Sequence, residues 1–225
     1  MSRRALVVGS SDGIGLALVR DLLDRGWSVR GLSRSASPLA GPAYEHVTVD
    51  VREPRFPGQV AEALDGEPTS LVVYCAGIGE PFDAVQLDVD VATFEVNLMG
   101  LVRTVERALP VLLEQGAGTI VGLSSMADVI RSGEAPAYGA AKAGMSHYLE
   151  ALRTAVQGRG VHVVNTRLGF VDTKMAKSPI KPWMLTPEQA AARILRGALS
   201  AAPPRRLNIP RRMAVLASLV GLLTR

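Results

Sequence analysis

Short apolar stretches rich in β-branched residues alternate along the chain with longer stretches in which apolar residues recur every three or four positions. The first kind of stretch predicts strands that are covered on both faces, and the second predicts helices that lie against a sheet. Their regular alternation predicts βαβ units and a parallel sheet. The strands are predicted at residues 5–8, 28–32, 46–50, 71–75, 119–123, 161–167 and 206–209.

Three helices are predicted from apolar residues at helical spacing. A fourth helix is expected to begin at Thr186, because threonine caps helices and Pro187 suits the first turn. The stretches 35–44 and 174–185 are predicted to be proline-containing loops, and loops as long as the second are often functional lids. The apolar positions of the three helices are Ile14, Leu18 and Leu22; Leu98, Val102, Val105 and Leu109; and Met145, Leu149, Leu152 and Val156.

Together these elements predict a single α/β domain with a Rossmann-like, doubly wound parallel sheet in a three-layer α/β/α arrangement. The chain has 225 residues, a length suited to one domain, and 48% of them are apolar, which supports a folded core. We assign residues 1–210 to this domain and residues 211–225 to an apolar C-terminal tail.

Composition excludes several kinds of site. Cys75 is the only cysteine, so the chain can form neither an internal disulfide nor a cysteine-rich metal site, and its three histidines are too scattered to suggest a metal. A net charge of +4 without a long basic run does not favour nucleic acid, although it suits mild attraction for an anionic small molecule. The first residues lack the pattern of a secretory signal, so we expect a cytoplasmic protein.

The clearest local motif is a glycine-rich turn between the first predicted strand and the first helix. Gly9 allows a tight turn, Gly13 lets the backbone approach a pyrophosphate, and Gly15 permits close packing of helix and strand. A purely structural turn could also need three glycines. The strand before and the helix after favour a dinucleotide site, because the N–H groups at the helix start attract phosphates. The residues expected at this site are Gly9, Ser11, Asp12, Gly13, Ile14 and Gly15.

Tyr138 and Lys142 lie four residues apart in a predicted helix, so their side chains share one face. The ammonium should lower the tyrosine pKa toward the working range of a general acid and base. Alone, the pair would more often be an ordinary helix surface. Ser125 follows a predicted strand, at the edge where open sheets bind ligands, and its hydroxyl can bond a reacting oxygen. Asn97 lies near the start of a predicted helix, where its amide could cap the helix or be buried with its hydrogen bonds satisfied.

In combination, these features resemble the short-chain dehydrogenase/reductase family in its compact, single-domain form. The resemblance runs from the first strand to about Leu199, and the separation of Ser125 from Tyr138 matches the usual spacing of the family. Cys75 replaces a common asparagine and is interpreted as a packing residue. The resemblance is carried by Gly9 to Gly15, Asp50-Val51, Cys75-Ala76-Gly77, Asn97, Ser124-Ser125, Tyr138 with Lys142, and Leu168 to Thr173.

The resemblance implies an oxidoreductase in which Tyr138 exchanges a proton with the substrate oxygen while a hydride passes to or from nicotinamide. Lys142 would hold the nicotinamide ribose and tune Tyr138. Ser125 would orient the substrate oxygen, and Asn97 would hold a water of the proton relay. The resemblance also places Tyr138, Lys142 and the glycine turn at the cofactor. Asp50 and Val51 would line the adenine site, and Val171 and Thr173 would contact the nicotinamide end. Ala76 and Gly77 would lie beside the cofactor as well.

The residues after the second strand favour NADP(H) over NAD(H). An acidic residue there would bond the ribose hydroxyls of NAD and repel a 2′-phosphate, whereas Ser33 and Arg34 can bind that phosphate. Asp12 favours NAD(H) instead, because NADP-dependent relatives often carry a basic residue at this position. Arg34 could also be a solvated loop charge, so NAD(H) stays possible.

The predicted lid offers apolar side chains at Phe170, Met175, Trp183 and Met184. They suggest an apolar pocket for a ketone, aldehyde or secondary alcohol, although they could simply pack the lid onto the domain. The leading hypothesis is therefore an NADP(H)-dependent carbonyl reductase or alcohol dehydrogenase. The alternatives are a catalytically silent, NADP(H)-sensing protein and an epimerase or dehydratase of the extended branch, which the missing second domain disfavours.

Members of the family usually pair through the helices expected here at 92–113 and 136–157, so we expect a homodimer or homotetramer. The tail is apolar over residues 213–223, which is far shorter than the roughly 20 residues needed to span a bilayer. Two interpretations stay open. The tail packs on the domain or on a neighbouring subunit, which we favour, or it rests on a membrane surface.

Overall fold

Seven strands follow one another along residues 3–176 and 181–224, the part of the chain that the computed structural model describes. Their apolar, β-branched sequences match strands buried on both faces. The strands are β1 Arg4–Val8, β2 Ser28–Ser33, β3 Tyr44–Thr48, β4 Leu71–Tyr74, β5 Gly118–Ser125, β6 Val161–Leu168 and β7 Arg206–Ile209.

The strands form one sheet in the order β3-β2-β1-β4-β5-β6-β7, and every neighbouring pair is parallel. The chain winds outward from β1 in one direction through β2 and β3, then returns and winds the other way from β4 to β7. The predicted doubly wound parallel sheet is therefore confirmed. The reversal between β1 and β4 opens a crevice at the carboxyl ends of these strands, where such sheets bind ligands.

Helices cover both faces of the sheet. Residues 87–115 form a nearly continuous helix that is interrupted by one π-helical turn at Glu95–Met99. The α-helices are α1 Gly13–Asp24, α2 Phe56–Leu64, α3 Leu87–Phe94, α4 Gly100–Gln115, α5 Pro136–Ala155, α6 Pro187–Ala198 and α7 Arg211–Leu223.

Alternate residues of each strand point into separate cores on the two faces of the sheet. In β1, Ala5 and Val7 pack with α1 and α6, whereas Leu6 and Val8 pack on the side of α2, α4 and α5. This arrangement is the predicted three-layer α/β/α architecture. It explains why the strand sequences are apolar throughout instead of alternating with polar residues.

Some predicted boundaries were wrong. Strand β3 begins at Tyr44 and ends at Thr48, two residues before the predicted span, because Tyr44 is buried and its hydroxyl donates to Ser10 Oγ at 3.4 Å. The helix Phe56–Leu64 was not predicted, since it is short and has proline and glycine as its second and third residues. The helix predicted from Thr186 has a capping box, in which the Thr186 hydroxyl and the Gln189 side chain each accept a backbone N–H.

The tail is helical and lies on its own domain along one side. Helix α7 contacts β7 and a short 3₁₀ turn at Met126–Val129. Ala217 and Gly221 are buried there, and a Cβ at Gly221 would approach the Val129 carbonyl oxygen to 2.5 Å. Small residues thus allow close packing. Part of the predicted lid, residues 177–180, lies outside the described residues.

Candidate active site

The carboxyl ends of β1, β4, β5 and β6 bring the predicted site residues to one edge of the sheet. The glycine turn follows β1, the segment from Cys75 to Gly77 follows β4, and Ser125 ends β5. Val171 and Thr173 come just after β6. All four loops border the crevice at the reversal of strand order, as expected for a ligand site in an open sheet.

The glycine turn is packed too tightly for side chains. Gly9 has a φ of +88°, and a Cβ there would meet the Ala76 backbone nitrogen at 2.5 Å. A Cβ at Gly15 would meet the Gly9 carbonyl oxygen at 1.8 Å, so the start of α1 lies directly on the turn. These contacts agree with the tight turn and close helix packing predicted for the two glycines. Ser11 lies in the same turn, and Ile14 is the second residue of α1.

Asp12 caps α1 and also connects it to the lid. Its carboxylate accepts the Gly13 N–H at 2.8 Å and binds the Lys174 ammonium at 2.6 Å. The Lys174 hydrogen bond, helped by that of Gly13, lowers the pKa of Asp12. A Cβ at Gly13 would meet Thr173 Cγ2 at 3.2 Å, so the base of the lid touches the glycine turn. The negative charge of Asp12 is thereby neutralised next to the phosphate cradle.

Helix α5 brings Tyr138 and Lys142 to the end of β5, next to Ser125. The Ser125 side chain is close enough to the Tyr138 phenol to lower its pKa, and the Lys142 Nζ lies 5.7 Å from the centre of the tyrosine ring. The buried Lys142 ammonium donates to the Leu123 carbonyl oxygen at 2.8 Å. The structure therefore assembles the predicted hydroxyl, phenol and ammonium groups in one place.

The predicted lowering of the tyrosine pKa was wrong for this arrangement. Burial raises the pKa of Tyr138, and the Asp128 carboxylate raises it further, against the lowering effect of the Ser125 hydrogen bond. Burial lowers the pKa of Lys142 to about 8. The two shifts have a common cause, because desolvation disfavours the charged form of each group. The lysine charge acts mainly on the Leu123 carbonyl and not on the phenol.

Asn97 lies in the π-helical turn and is fully buried. Its side-chain amide accepts from the Ile78 N–H at 2.9 Å and donates to the Ile78 carbonyl oxygen at 2.8 Å, so it is a satisfied buried amide and not a helix cap. The Tyr74 hydroxyl donates to the Val96 carbonyl, and Gly100 leaves space for the phenol. This contact accounts for the local widening of the helix, and such π-turns are frequent at functional sites.

The segment from Cys75 to Gly77 forms the floor of the crevice. A Cβ at Gly77 would approach Asn97 Oδ1 at 3.0 Å and Lys142 Nζ at 3.6 Å, so Gly77 keeps this space free beside the catalytic candidates. The Cys75 thiol donates to the Val8 carbonyl oxygen at 2.9 Å. Burial raises its pKa to about 12, which fits a packing residue and not a reactive thiol.

The residues that favour NADP(H) lie together at the ends of β2 and β3. Ser33 Oγ is 2.7 Å from His46 Nε2 and donates to the Ser35 carbonyl oxygen at 2.9 Å. Arg34 is exposed, and its charge adds to the lowering of the Asp50 pKa, which is mainly caused by the Arg52 hydrogen bond. Val51, next along the chain, is buried. Sequence reasoning overlooked His46, which has no motif and reaches Ser33 only through strand pairing.

The four apolar residues predicted for the substrate pocket do not all converge. Met175 reaches the site, since its Cε lies 3.5 Å from the position of a Cβ on Gly77. Trp183 instead packs under the Arg212 guanidinium, at 4.7 Å from the ring centre, and so faces α7. Met184 is exposed. Phe170 is half-buried, and its carbonyl oxygen accepts the Leu185 N–H at 3.0 Å.

A buried polar network behind Tyr138 was missed by sequence reasoning. The Arg167 Nε donates to Asp128 Oδ2 at 2.7 Å, and both side chains are 4% exposed. The Ser146 hydroxyl donates to the same carboxylate at 2.5 Å and lies 2.6 Å from the Ser124 hydroxyl. The network joins β5, β6 and α5, because its bonded residues lie 18 to 39 positions apart along the chain and meet only in the folded sheet.

Comparison with known proteins identifies the family. A family profile described as short chain dehydrogenase matches residues 3–182. The chain belongs to the short-chain dehydrogenase/reductase family. The predicted resemblance is thus confirmed, and with it the coarse activity of an oxidoreductase. Among the described residues, no group of three or more His, Cys, Asp or Glu side chains could hold a metal ion.

Individual relatives cover most of the chain. An uncharacterized oxidoreductase of Myxococcus xanthus is 32% identical over 94% of this chain and 91% of its own. Sulfoacetaldehyde reductase 2 of Chromohalobacter salexigens is 32% identical over 77% of this chain and 75% of its own. A short chain dehydrogenase from Burkholderia cenocepacia, solved in complex with NADP, has the same fold, with a TM-score of 0.83 and 24% identity over 99% of this chain and 95% of that one.

The Asp128→Asn variant should be strongly destabilised, because it leaves the Arg167 guanidinium buried without a counter-charge. Loss of one partner of a buried pair costs about 3–5 kcal/mol of unfolding free energy, which urea denaturation would measure. The control is Asp21→Asn, which breaks the exposed pair with Arg25 and should cost no more than about 1 kcal/mol. Equal effects of the two substitutions would contradict the structural importance of the network.

Proposed function

We propose that this protein is an NADP(H)-dependent carbonyl reductase or alcohol dehydrogenase in which Tyr138 is the proton donor and acceptor. The observation that carries the proposal is the placement of Tyr138 beside Ser125, whose side chain lowers its pKa, and with its ring centre 5.7 Å from the Lys142 Nζ, at the strand ends beside the glycine turn. A ketone, aldehyde or secondary alcohol has the oxygen atom that these two hydroxyls can bind.

The residues of the crevice fit a nicotinamide dinucleotide. The backbone around Gly9 and Gly13 offers N–H groups at the start of α1 for a pyrophosphate, and Gly77 leaves open space beside Lys142. Lys142 would bind the ribose hydroxyls, and Val171 and Thr173 would line the nicotinamide end. When bound, the cofactor supplies or accepts the hydride.

A protonated Tyr138 would serve the reductive direction as the proton donor. Because burial keeps the phenol protonated, it can donate its proton to a substrate oxygen that gains negative charge. Ser125 would hold that oxygen through its hydroxyl. We assign Asn97 a positioning role, since its amide fixes the loop after β4 through Ile78.

Three features support NADP(H) as the cofactor. Ser33 and Arg34 offer a hydroxyl and a guanidinium for a 2′-phosphate, and no acidic residue follows β2 directly. Asp12, the feature that pointed toward NAD(H), is neutralised by Lys174. The structural relative from Burkholderia cenocepacia binds NADP.

The substrate should be at least partly apolar. Met175 lies closest to Gly77 and Lys142, and Phe170 lies near the root of the same loop. Both side chains favour a carbonyl compound with hydrophobic bulk. A catalytically silent NADP(H)-sensing protein is the second candidate, but Asn97, Ser125, Tyr138 and Lys142 are all retained, and loss of turnover usually accompanies loss of such groups.

An apolar groove along α4 and α5 supports a homodimer or homotetramer. The groove has a volume of about 660 Å³, and Met99 at its rim is 37% exposed. It lies on the two helices through which the family usually pairs. Its lining residues are Leu98, Met99, Val102, Ala143, Gly144, His147, Tyr148 and Ala151.

The Tyr138→Phe variant should lose turnover while it keeps cofactor binding. Removal of the proton donor is expected to lower kcat/KM by roughly 10²- to 10⁴-fold, measured as NADPH consumption with a panel of ketones, aldehydes and quinones. NADPH fluorescence should show an unchanged Kd within about threefold, because the phenol contributes little of the binding. Tight NADPH binding without turnover of any panel member by the native chain would favour the sensing protein.

The Arg34→Ala variant should bind NADPH about ten- to hundredfold more weakly, as expected for the loss of a charge-assisted hydrogen bond, and leave NADH binding nearly unchanged. Arg55→Ala is a matched control, because Arg55 is exposed and pairs with Glu53 near the same strand edge. Kd values for both cofactors would be measured by fluorescence titration. Equal losses for NADPH and NADH would contradict the role of Arg34.

The affinity for NADPH should depend on pH through Lys142. Burial lowers the pKa of this lysine to about 8, so the ammonium that would bind the ribose is present below that pH and is lost above it. The Kd should therefore be nearly constant below about pH 7, about twice as high at pH 8, and should rise steeply above that pH. In Lys142→Met, the Kd should be higher at neutral pH and should not change over this range. A pH-independent Kd in the native chain would refute this role.

A further inference from the structure

One side of α7 exposes an apolar stripe. Val215 is 65% exposed, Leu219 56%, Leu222 59% and Leu223 87%, and Leu216 between them is 39% exposed. Their spacing of three or four residues places them along one face of the helix. Exposed apolar residues in a continuous patch of this kind mark a site of interaction.

The stripe offers no free polar group among the described residues. Ser218, the only hydroxyl between Arg212 and Thr224, donates to the Ala214 carbonyl oxygen at 2.8 Å. The opposite side of the helix is already packed on the domain through Ala217 and Gly221. The packing of the tail on its own domain therefore does not explain why the exposed face is apolar.

Positive charges lie at both ends of the stripe. Arg211 and Arg212 are exposed in the first turn of α7, and the exposed Arg131 lies at the other end, where its backbone N–H donates to Thr224 Oγ1 at 3.2 Å. No acidic residue occurs between residues 211 and 224. The surface thus combines an apolar face with flanking arginines, as in helices that lie on anionic lipid.

The stripe continues toward the entrance of the candidate active site. The Arg212 guanidinium lies over the Trp183 ring, and Met213 Cγ lies 3.1 Å from the position of a Cβ on Gly169. Trp183 and Met184 are 39% and 42% exposed. An exposed tryptophan beside an arginine suits the boundary between headgroups and acyl chains.

We propose that α7, with Trp183 and Met184, docks the protein on an anionic membrane surface. The helix has 13 residues, which corresponds to about 20 Å and is too short to cross a hydrocarbon core of about 30 Å. Among the described residues no helix is long and apolar enough to cross a membrane. The helix lies in the plane of the surface, with its leucines in the acyl boundary and its arginines at the headgroup phosphates.

Charge disfavours a second copy of the chain as the occupant. In a two-fold pair of α7 helices, a parallel arrangement brings Arg211 and Arg212 next to their own copies, and an antiparallel arrangement brings them toward Arg131 of the other copy. Both arrangements place like charges together. Anionic headgroups instead complement both ends of the stripe and can adjust to its spacing.

The test is co-sedimentation of the full chain with vesicles of phosphatidylcholine alone or mixed with phosphatidylglycerol. The native chain should bind the mixed vesicles, and binding should weaken with rising salt. Leu219→Gln with Leu222→Gln should reduce the partition coefficient by about tenfold or more. Val85→Gln with Val91→Gln is the matched control, because these two valines are at least as exposed as the two leucines but lie far along the chain from α7, and it should bind like the native chain.

A second pair of variants protects the test against misfolding. Arg211→Gln with Arg212→Gln should lower binding to the mixed vesicles by about tenfold and reduce its salt dependence, while thermal melting shows that the fold is kept. The proposal is overturned if the native chain does not bind mixed vesicles, or if the leucine variant binds as well as the native chain. It is also overturned if sedimentation equilibrium shows that the leucine substitutions only lower the oligomeric mass.

Discussion

The backbone turn after β1 lies against the loop after β4 with no room for a side chain between them. Gly9 touches the Ala76 backbone, and the start of α1 touches the Gly9 carbonyl through Gly15. This contact sets where α1 begins, and with it the direction of the N–H groups at its first turn. The crevice exists because the strand order reverses here, and its shape depends on three segments that meet through bare backbone.

The second constraint is a set of buried polar contacts that position helix α5. Helix α5 carries Tyr138 and Lys142, and its position depends on the buried links from Ser146 to Asp128 and from Lys142 to the Leu123 carbonyl. Burial also raises the pKa of the Tyr138 phenol and lowers the pKa of the Lys142 ammonium. The same desolvation that makes the site costly keeps the phenol neutral beside a lysine whose pKa burial lowers to about 8.

The lid and the tail form a third region that connects the crevice with the surface. The root of the lid is held to the glycine turn by Lys174 and Asp12, and Trp183 is held to α7 by Arg212. Two predicted pocket residues therefore separate, with Met175 near Gly77 and Trp183 near the tail.

The sequence by itself determined the parallel α/β fold, the glycine turn and the shared helix face of Tyr138 and Lys142, because hydrophobic periodicity and short motif spacings are local properties. The grouping of Ser125 with these two residues was implied by the resemblance to the family. The helix Phe56–Leu64 was not predicted because a nine-residue segment with proline and glycine in its first turn has a weak local pattern. Only the tertiary structure decided the direction of the tyrosine pKa shift, the Asp128–Arg167 pair and the contact of His46 with Ser33. Desolvation and pairing across strands depend on which distant segments come together in the fold. The spacing of residues along the chain does not show which segments these are.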